Sequence, residues 1–288
     1  MKNISRRNFI GKGVVAAGAA WAWSALPESL LQASAFGDIP LGFQTYPIRE
    51  TLSKDFAATL KMMADMGYKD MEMCSPSGYA TGGFGPLVSM KTSDMRKTIK
   101  DSGLNCTSCH FGYGEITDKV DDRIAFAQEL GLTDMVCSTF WLPETAKLKD
   151  YQDSADKLNE AARKIKKAGM QAGFHNHEME FKMLEGRLIY DVLLERFDPD
   201  LVKMQFQTEV INLGFKGSTY FDKYPGRFIS AHLSDWTADK KAVPIGKGII
   251  DWKEFFASAK KCGVKKYYVE MEPSTFQDSA TFLLNYRS

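Results

Sequence analysis

The sequence lacks the features that mark several common classes of protein. Its 288 residues carry a formal net charge of only +1, so charge gives no reason to expect nucleic acid or an acidic membrane surface as a partner. Neither a G-x-G-x-x-G segment after a candidate strand nor a Walker motif occurs, so nucleotide binding has no support. The apolar run over residues 13–26 is too short to cross a bilayer, and no later segment is apolar enough to do so.

Cysteine is scarce and odd in number. The five cysteines are Cys74, Cys106, Cys109, Cys137 and Cys262, so at least one thiol is unpaired or shared between chains. A chain of this size does not need a disulfide framework, and four of the five fall in or beside candidate strands. We therefore expect buried thiols.

The first 35 residues resemble an export signal. Arg6 and Arg7 precede Phe9, the apolar run follows, and residues 33–35 have the A-x-A pattern of a cleavage site. The twin arginine is typical of the Tat route for proteins exported in the folded state. We expect cleavage after Ala35 and a periplasmic or otherwise exported location, the alternative being a basic tail formed by chance. Residues 36–288 then have the length of one α/β barrel, about 250 residues.

The remaining chain repeats one pattern, in which a helical stretch ends in glycine and a short β-rich run follows. Such glycines stand at positions 67, 103, 131, 169 and 263, where a left-handed cap is expected after a helix. Helices are predicted over residues 56–66, 119–130, 151–168 and 252–262, with a short last helix from about residue 277. Eight strand candidates begin at Leu41, Tyr68, Asn105, Asp134, Gln171, Val202, Phe228 and Lys266. This alternation favours a parallel sheet, and eight units favour a single closed (β/α)₈ TIM barrel over residues 36–288.

All four histidines of the sequence fall at the predicted carboxyl ends of strands, where barrel enzymes keep their chemistry. A single histidine there is usually structural, but four at one rim favour a metal or catalytic cluster. Imidazole and carboxylate groups together suit a divalent transition metal. The residues concerned are His110, His175, His177 and His232, joined by Gln44, Glu72, Gln207, Glu209, Asp235, Glu270 and Glu272.

Four segments resemble the sugar phosphate isomerase/epimerase family, whose members are xylose isomerase-like barrels. They are GFHNHEMEF (173–181), PGRFISAHLSD (225–235), IGKGIIDW (245–252) and YYVEMEP (267–273). The resemblance extends over nearly all of residues 36–288. It implies one divalent metal held by two glutamates, an aspartate and a histidine, and a reaction in which carboxylates move a proton beside a carbonyl while the metal stabilises the enolate. Barrels of this type often pair, so a homodimer is possible.

The resemblance places His175, Gln207, His232 and Glu270 at the four ligand positions. Glu209 replaces Gln207 as ligand if the register of the sixth strand shifts by two. Because histidine and glutamine stand where the family has acids, only one ligand is anionic, which favours zinc, cobalt, nickel, manganese or iron over magnesium. Glu270, His177, His110 and Glu72 are the candidates for proton transfer, with Glu209 also able to contact substrate.

The loss of one carboxylate leaves a second reaction open within the family. Exported relatives resemble enzymes that cleave 3-keto-glycosides, in which removal of a proton beside the keto group expels an alcohol. This lyase or hydratase reaction needs only one good base. Arg227 is a candidate to bind a substrate hydroxyl or to cap a loop, and Trp141 and Phe140 are candidates to stack on a sugar or to pack in the core. Asp251 is predicted to cap the seventh helix.

Two alternatives belong to other classes of protein. Residues 106–110 read CTSCH, the attachment motif of c-type haem, although they lie in a predicted strand where Cys106 and Cys109 face opposite sides. The other alternative is a sugar-binding barrel without catalysis, which the change at Gln207 makes conceivable.

Overall fold

The computed structural model of the protein describes residues 40–286. The predicted export signal and its cleavage point after Ala35 therefore lie outside the described residues. Within residues 40–286, no helix combines the length and the apolar character that a membrane span requires.

Eight parallel strands close into a barrel, in the order β1–β8–β7–β6–β5–β4–β3–β2. Each predicted strand contains one of them, so the predicted (β/α)₈ barrel is confirmed. The strands are β1 (Leu41–Gln44), β2 (Asp70–Cys74), β3 (Asn105–Phe111), β4 (Asp134–Cys137), β5 (Gln171–His175), β6 (Val202–Gln207), β7 (Phe228–Leu233) and β8 (Lys266–Val269).

Helices surround the barrel and connect its strands. The predicted helix bounds agree to within three residues, and the helix predicted over 252–262 is α9 itself. The helices are α1 (Arg49–Lys54), α2 (Phe56–Asp65), α3 (Thr92–Asp101), α4 (Tyr113–Asp118), α5 (Val120–Leu130), α6 (Leu148–Lys167), α7 (Ile189–Arg196), α8 (Gly217–Lys223), α9 (Trp252–Cys262) and α10 (Phe276–Asn285). Asp251 caps α9 as predicted, because its Oδ1 accepts a hydrogen bond of 2.9 Å from the backbone N–H of Glu254.

The junction glycines explain how each helix turns back into a strand. All five predicted cap glycines have positive φ, for example 93° at Gly131 after α5 and 90° at Gly263 after α9. A side chain at these positions would strain the backbone, so glycine marks each turn toward the next strand.

The barrel interior is built in layers of inward-facing side chains. Glycine makes room for the large ones: a Cβ at Gly42 would lie 2.5 Å from the ring of Tyr268. Outward-facing side chains such as Met71 and Phe174 are fully buried under the helices. The inward layers differ from this apolar shell, because acids, amides and histidines fill them at the carboxyl end and acids with one lysine at the amino end.

Candidate active site

The centre of the site is the carboxylate of Glu72, which is fully buried in the barrel interior. Its Oε1 accepts hydrogen bonds from Ser108 Oγ at 2.5 Å and from Gln205 Nε2 at 2.8 Å. Its Oε2 accepts from Gln44 Nε2 at 2.7 Å and from His232 Nε2 at 2.5 Å. Four donors thus occupy the lone pairs of this carboxylate.

His232 links this carboxylate to a second one at the mouth of the barrel. Its Nδ1 lies 2.8 Å from Glu270 Oε2, on the side opposite to Glu72. Burial alone would lower the pKa of His232, but Glu270 and Glu72 outweigh it and raise the pKa to about 9. Burial would likewise raise the pKa of Glu72, yet the facing imidazoles of His110 and His232 hold it well below its usual range. The three groups therefore form a carboxylate–imidazolium–carboxylate chain.

Glu270 follows the last residue of β8 and is the more open of the two carboxylates. Its Oε2 accepts from His232 and, at 2.6 Å, from Gln207 Nε2. Its side chain is 19% exposed, and among the described residues no donor reaches its Oε1. One oxygen of Glu270 is thus free to meet a substrate or a metal ion.

Three imidazole rings lie together beside this chain. The His110 ring stacks on His232 with centroids 5.1 Å apart, and the His175 ring lies 4.4 Å from His232. His110 Nε2 lies 2.6 Å from Gln205 Oε1, which only accepts, so Nε2 carries a proton. His175 Nδ1 is buried without a hydrogen-bond partner in the described part of the chain, and burial holds the pKa of His175 well below its usual value. His175 is therefore neutral, with one nitrogen unsatisfied.

The rim of the site is formed by His177, Trp141 and Glu209. The His177 ring lies 4.7 Å from that of His175 and 5.5 Å from that of Trp141, which is 63% exposed. Burial lowers the pKa of His177 to about 4, so the ring is neutral, and its Nδ1 also lacks a described partner. Burial, with Glu178 and Glu270 nearby, raises the pKa of Glu209 to about 7. These groups lie between the buried site and solvent.

The donors at this site fit a divalent metal ion. One ring nitrogen from each of His110, His175 and His232 lies within 4.8 Å of the others. The unsatisfied Nδ1 of His175 is the kind of buried polar atom that a ligand completes. Glu72 would serve as the carboxylate partner that orients a metal-bound histidine. Both nitrogens of His232 are hydrogen-bonded to carboxylates, so metal binding there requires the loss of one proton.

This arrangement changes the predicted ligand set. His175, His232 and Glu270 do come together, but Gln207 turns its amide nitrogen, not its oxygen, toward Glu270. The third imidazole is instead that of His110, which the sequence had suggested only for proton transfer. Gln207 ends β6 and pairs with His232, whereas Glu209 lies beyond the strand in a 3-10 helix, Thr208–Leu213. The alternative register that made Glu209 a ligand is therefore wrong.

The candidates for proton transfer fall into two groups, those whose polar atoms are already engaged and those with a free atom. Glu72 has no free lone pair, so it serves to orient His232 and the site. His110 Nε2 is engaged by Gln205, so His110 fits the imidazole cluster better than a role in proton transfer. Glu270, His177 and Glu209 each keep an atom that can reach the mouth of the barrel. We retain these three as groups that can carry a proton.

Two side chains that were predicted to contact the substrate lie away from the site. Arg227 immediately precedes β7, at the amino end of the barrel, and donates to the carbonyl oxygens of Leu194 at 3.1 Å and Phe197 at 3.5 Å. It fixes the end of α7 and is not at the site. Phe140 is 4% exposed and packs against Phe174, so it belongs to the core.

The CTSCH motif and Asp235 have structural roles. Cys106 and Cys109 are buried within β3, so the geometry gives no support to haem attachment at CTSCH. Asp235 accepts from the backbone N–H groups of Gly246 at 2.9 Å and Gly248 at 3.0 Å. This carboxylate, fully buried, shapes the IGKG loop at the mouth rather than joining the cluster.

Several residues of the site carried little signal in the sequence. Ser108 and Gln205 hold Glu72, and strand alternation with His110 and Gln207 was the sign that they face inward. Thr139 and Glu180 lie in loops, where no periodicity applies. Their side chains hydrogen-bond to each other across the loops after β4 and β5.

The chain belongs to the family of xylose isomerase-like TIM barrels, whose model matches residues 60–285. No curated protein matches the sequence significantly. A sugar phosphate isomerase/epimerase from Parabacteroides distasonis ATCC 8503 is 27% identical, with a TM-score of 0.72 over 85% of this chain and 93% of that one.

Two more distant structures share the fold. An L-ribulose 3-epimerase is 13% identical, with a TM-score of 0.64 over 85% of this chain and 93% of that one. The IOLI protein with a binding zinc atom is 14% identical, with a TM-score of 0.61 over 85% of this chain and 94% of that one. The structural neighbours thus include sugar isomerases and epimerases, and one of them binds zinc.

Proposed function

We propose that the protein is a metal-dependent sugar isomerase or epimerase that moves a proton on the carbon beside a carbonyl. The observation that carries this proposal is the buried cluster of His110, His175 and His232 at the carboxyl end of the barrel, next to the free oxygen of Glu270. The family and the sugar isomerases among its structural neighbours support the same reaction class.

Each group has a distinct part in this proposal. His110, His175 and His232 would hold one zinc, cobalt, nickel, manganese or iron ion, which would polarise the substrate carbonyl. Glu270 Oε1 would take the proton, and His177 or Glu209 would return it. The exposed ring of Trp141 offers a face on which a sugar can stack.

A second candidate is elimination from a 3-keto-glycoside. The specific observation that favours it is the small number of free carboxylate oxygens: Glu72 is saturated and Gln207 replaces an acid. Elimination needs one base beside the carbonyl and a group that protonates the departing alcohol. An exported location, as proposed from residues 1–35, would bring the enzyme to glycosides outside the cytoplasm.

Hydrogen exchange with solvent tests both reactions at once. Residues 36–288 would be purified, loaded with each metal in turn, and incubated in D₂O with ketoses and with 3-keto-glucosides. We expect about one metal ion per chain and deuterium on the carbon beside the carbonyl, detected by NMR. Isomerised sugar then identifies the first reaction and released alcohol the second. Absence of both metal and exchange would favour a binding barrel without catalysis.

A further inference from the structure

We propose that the cleft between two loops at the mouth of the barrel is a separate subsite for an apolar substituent on the sugar. The two loops are residues 138–147, after β4, and residues 176–188, after β5. The inference rests on the second candidate of the proposed function, elimination from a 3-keto-glycoside, because a glycoside has no free anomeric carbonyl to isomerise. It adds that this substrate is a glycoside with an apolar group and not a free sugar.

Two strongly exposed apolar side chains lie on these loops. Met183 is 67% exposed and Trp141 63%, the two highest values among the large hydrophobic side chains that the structure describes as exposed. Both belong to loops that follow strands at the carboxyl end, one on each side of the cleft.

A cavity of about 350 Å³ lies between the same loops. This volume is at the lower end of the range of about 300–1,000 Å³ for small-ligand sites. Most of its lining is apolar, with Lys182 and Glu144 as the charged residues. The apolar lining includes Leu142, Pro143, Met179, Met183, Leu184 and Ile189.

Residues next to the cavity lining connect it to the candidate active site. Met179 lines the cavity, and its Sδ lies 3.8 Å from Thr139 Oγ1 in the facing loop. Trp141 precedes the cavity residue Leu142 and contacts the ring of His177, which in turn contacts His175. A sugar beside His177 would therefore direct one substituent toward this cleft.

The walls of the cleft are held in a strained arrangement. Thr139 has φ of 143° and Trp141 has φ of 51°, a region that non-glycine residues rarely adopt. The Thr139 hydroxyl donates to Glu180 Oε1, and Glu180 Oε2 accepts from the backbone N–H of His177 at 2.7 Å. Glu180 thus ties one loop to the other. Strain that persists in this way is typical of preorganised binding sites.

The lining selects the chemistry of the ligand. The polar partners are Lys182, Glu144 and the hydroxyl of Tyr151, and the rest of the lining is methionine, leucine, isoleucine, proline and alanine, so an aryl or alkyl group gains most from burial. Lys182 could face the oxygen of a phenol at the edge of the cavity. We therefore expect aryl glycosides to bind better than glycosides of small polar alcohols.

The test compares two glycosides that differ only in this group. Binding of phenyl β-glucoside and methyl β-glucoside to residues 36–288 is measured by calorimetry. We expect the phenyl compound to bind at least about tenfold more tightly, a difference of about 1.4 kcal/mol. Met183→Ser and Trp141→Ala should each reduce that preference about fivefold.

Leu284→Ser is the matched control. Leu284 is 50% exposed on α10 and approaches Gly67, at the amino end of β2, so its loss should leave the preference unchanged. Equal binding of the two glucosides by the wild type would overturn the subsite, as would a preference that survives in both loop variants. If the phenyl preference holds but no deuterium exchange occurs with any keto sugar, the proposed reaction fails and the subsite stands.

Discussion

The two ends of the barrel interior use similar residues in different ways. At the amino end, Lys266 Nζ lies 2.6 Å from Asp134 Oδ2 and 2.9 Å from Thr133 Oγ1, and the Tyr268 hydroxyl lies 3.4 Å from Asp70. The Lys266 cation offsets the charge of both acids there. In barrel enzymes this end serves stability.

The carboxyl end has buried charges as well, but leaves some groups unsatisfied. His175 Nδ1 and His177 Nδ1 lack partners in the described structure, and Glu270 keeps a free oxygen. The loop after β4 stores backbone strain and exposes Trp141. The comparison teaches that polar atoms without a hydrogen-bond partner, and not the presence of charge, distinguish the carboxyl end of the barrel interior.

The largest effect is expected from Glu270→Gln. The change removes the carboxylate that keeps a free oxygen beside the histidine cluster, so deuterium exchange into a keto sugar should slow by about 10²- to 10⁴-fold. Asp134→Asn at the amino end is the control and should leave the exchange rate of the folded protein within a factor of three. An exchange rate for Glu270→Gln near that of the wild type would remove the proposed role of this residue.

Lys266→Met should lower stability and leave activity unchanged, the reverse of what is expected for Glu270→Gln. It leaves Asp134 and Asp70 without their cation, which should lower the free energy of unfolding by about 2 kcal/mol, since the pair is mostly buried. Urea denaturation measures this loss. At temperatures well below its unfolding temperature, the variant should keep its deuterium-exchange activity. Loss of activity without loss of stability would mean that the two ends are not distinct.

The pH dependence of stability tests the amino end further. Burial raises the pKa of Asp70 to about 7, although Lys266 lowers it. Because the folded pKa lies above the unfolded value, this residue favours folding fully at pH below about 4 and loses that contribution as pH rises through 7. Asp70→Asn should therefore gain on the order of 2 kcal/mol relative to wild type between pH 5 and pH 7, by denaturation at both pH values. A constant difference would exclude the raised pKa.

The smallest effect is expected from Arg227→Met. Its guanidinium donates to two carbonyl oxygens near the end of α7, so the variant should lose about 1 kcal/mol of stability. Its KM for an exchanging sugar should stay unchanged, because the residue lies at the amino end. A raised KM with unaltered stability would restore the interpretation that Arg227 binds substrate.

The sequence by itself determined the architecture. Repeated helix–glycine–strand junctions are local signals, because a left-handed cap needs glycine whatever the rest of the chain does. The positions of His110, His175 and His232 at the ends of strand candidates also placed them at one rim, since the carboxyl ends of parallel strands meet there. Both inferences depend only on neighbours in the chain.

Only the tertiary structure decided which of these groups work together. That Glu72 is saturated, that Gln207 offers an N–H to Glu270, and that His110 joins the imidazole cluster depend on side chains from different strands meeting across the barrel. Arg227 illustrates the same limit, because its hydrogen-bond partner Leu194 belongs to α7, which is remote in the chain. The Thr139–Glu180 link between loops has no periodic pattern behind it, so the sequence held no sign of it. Hydrogen-bond partners of this kind are set by distances between remote segments, which spacing along the chain does not fix.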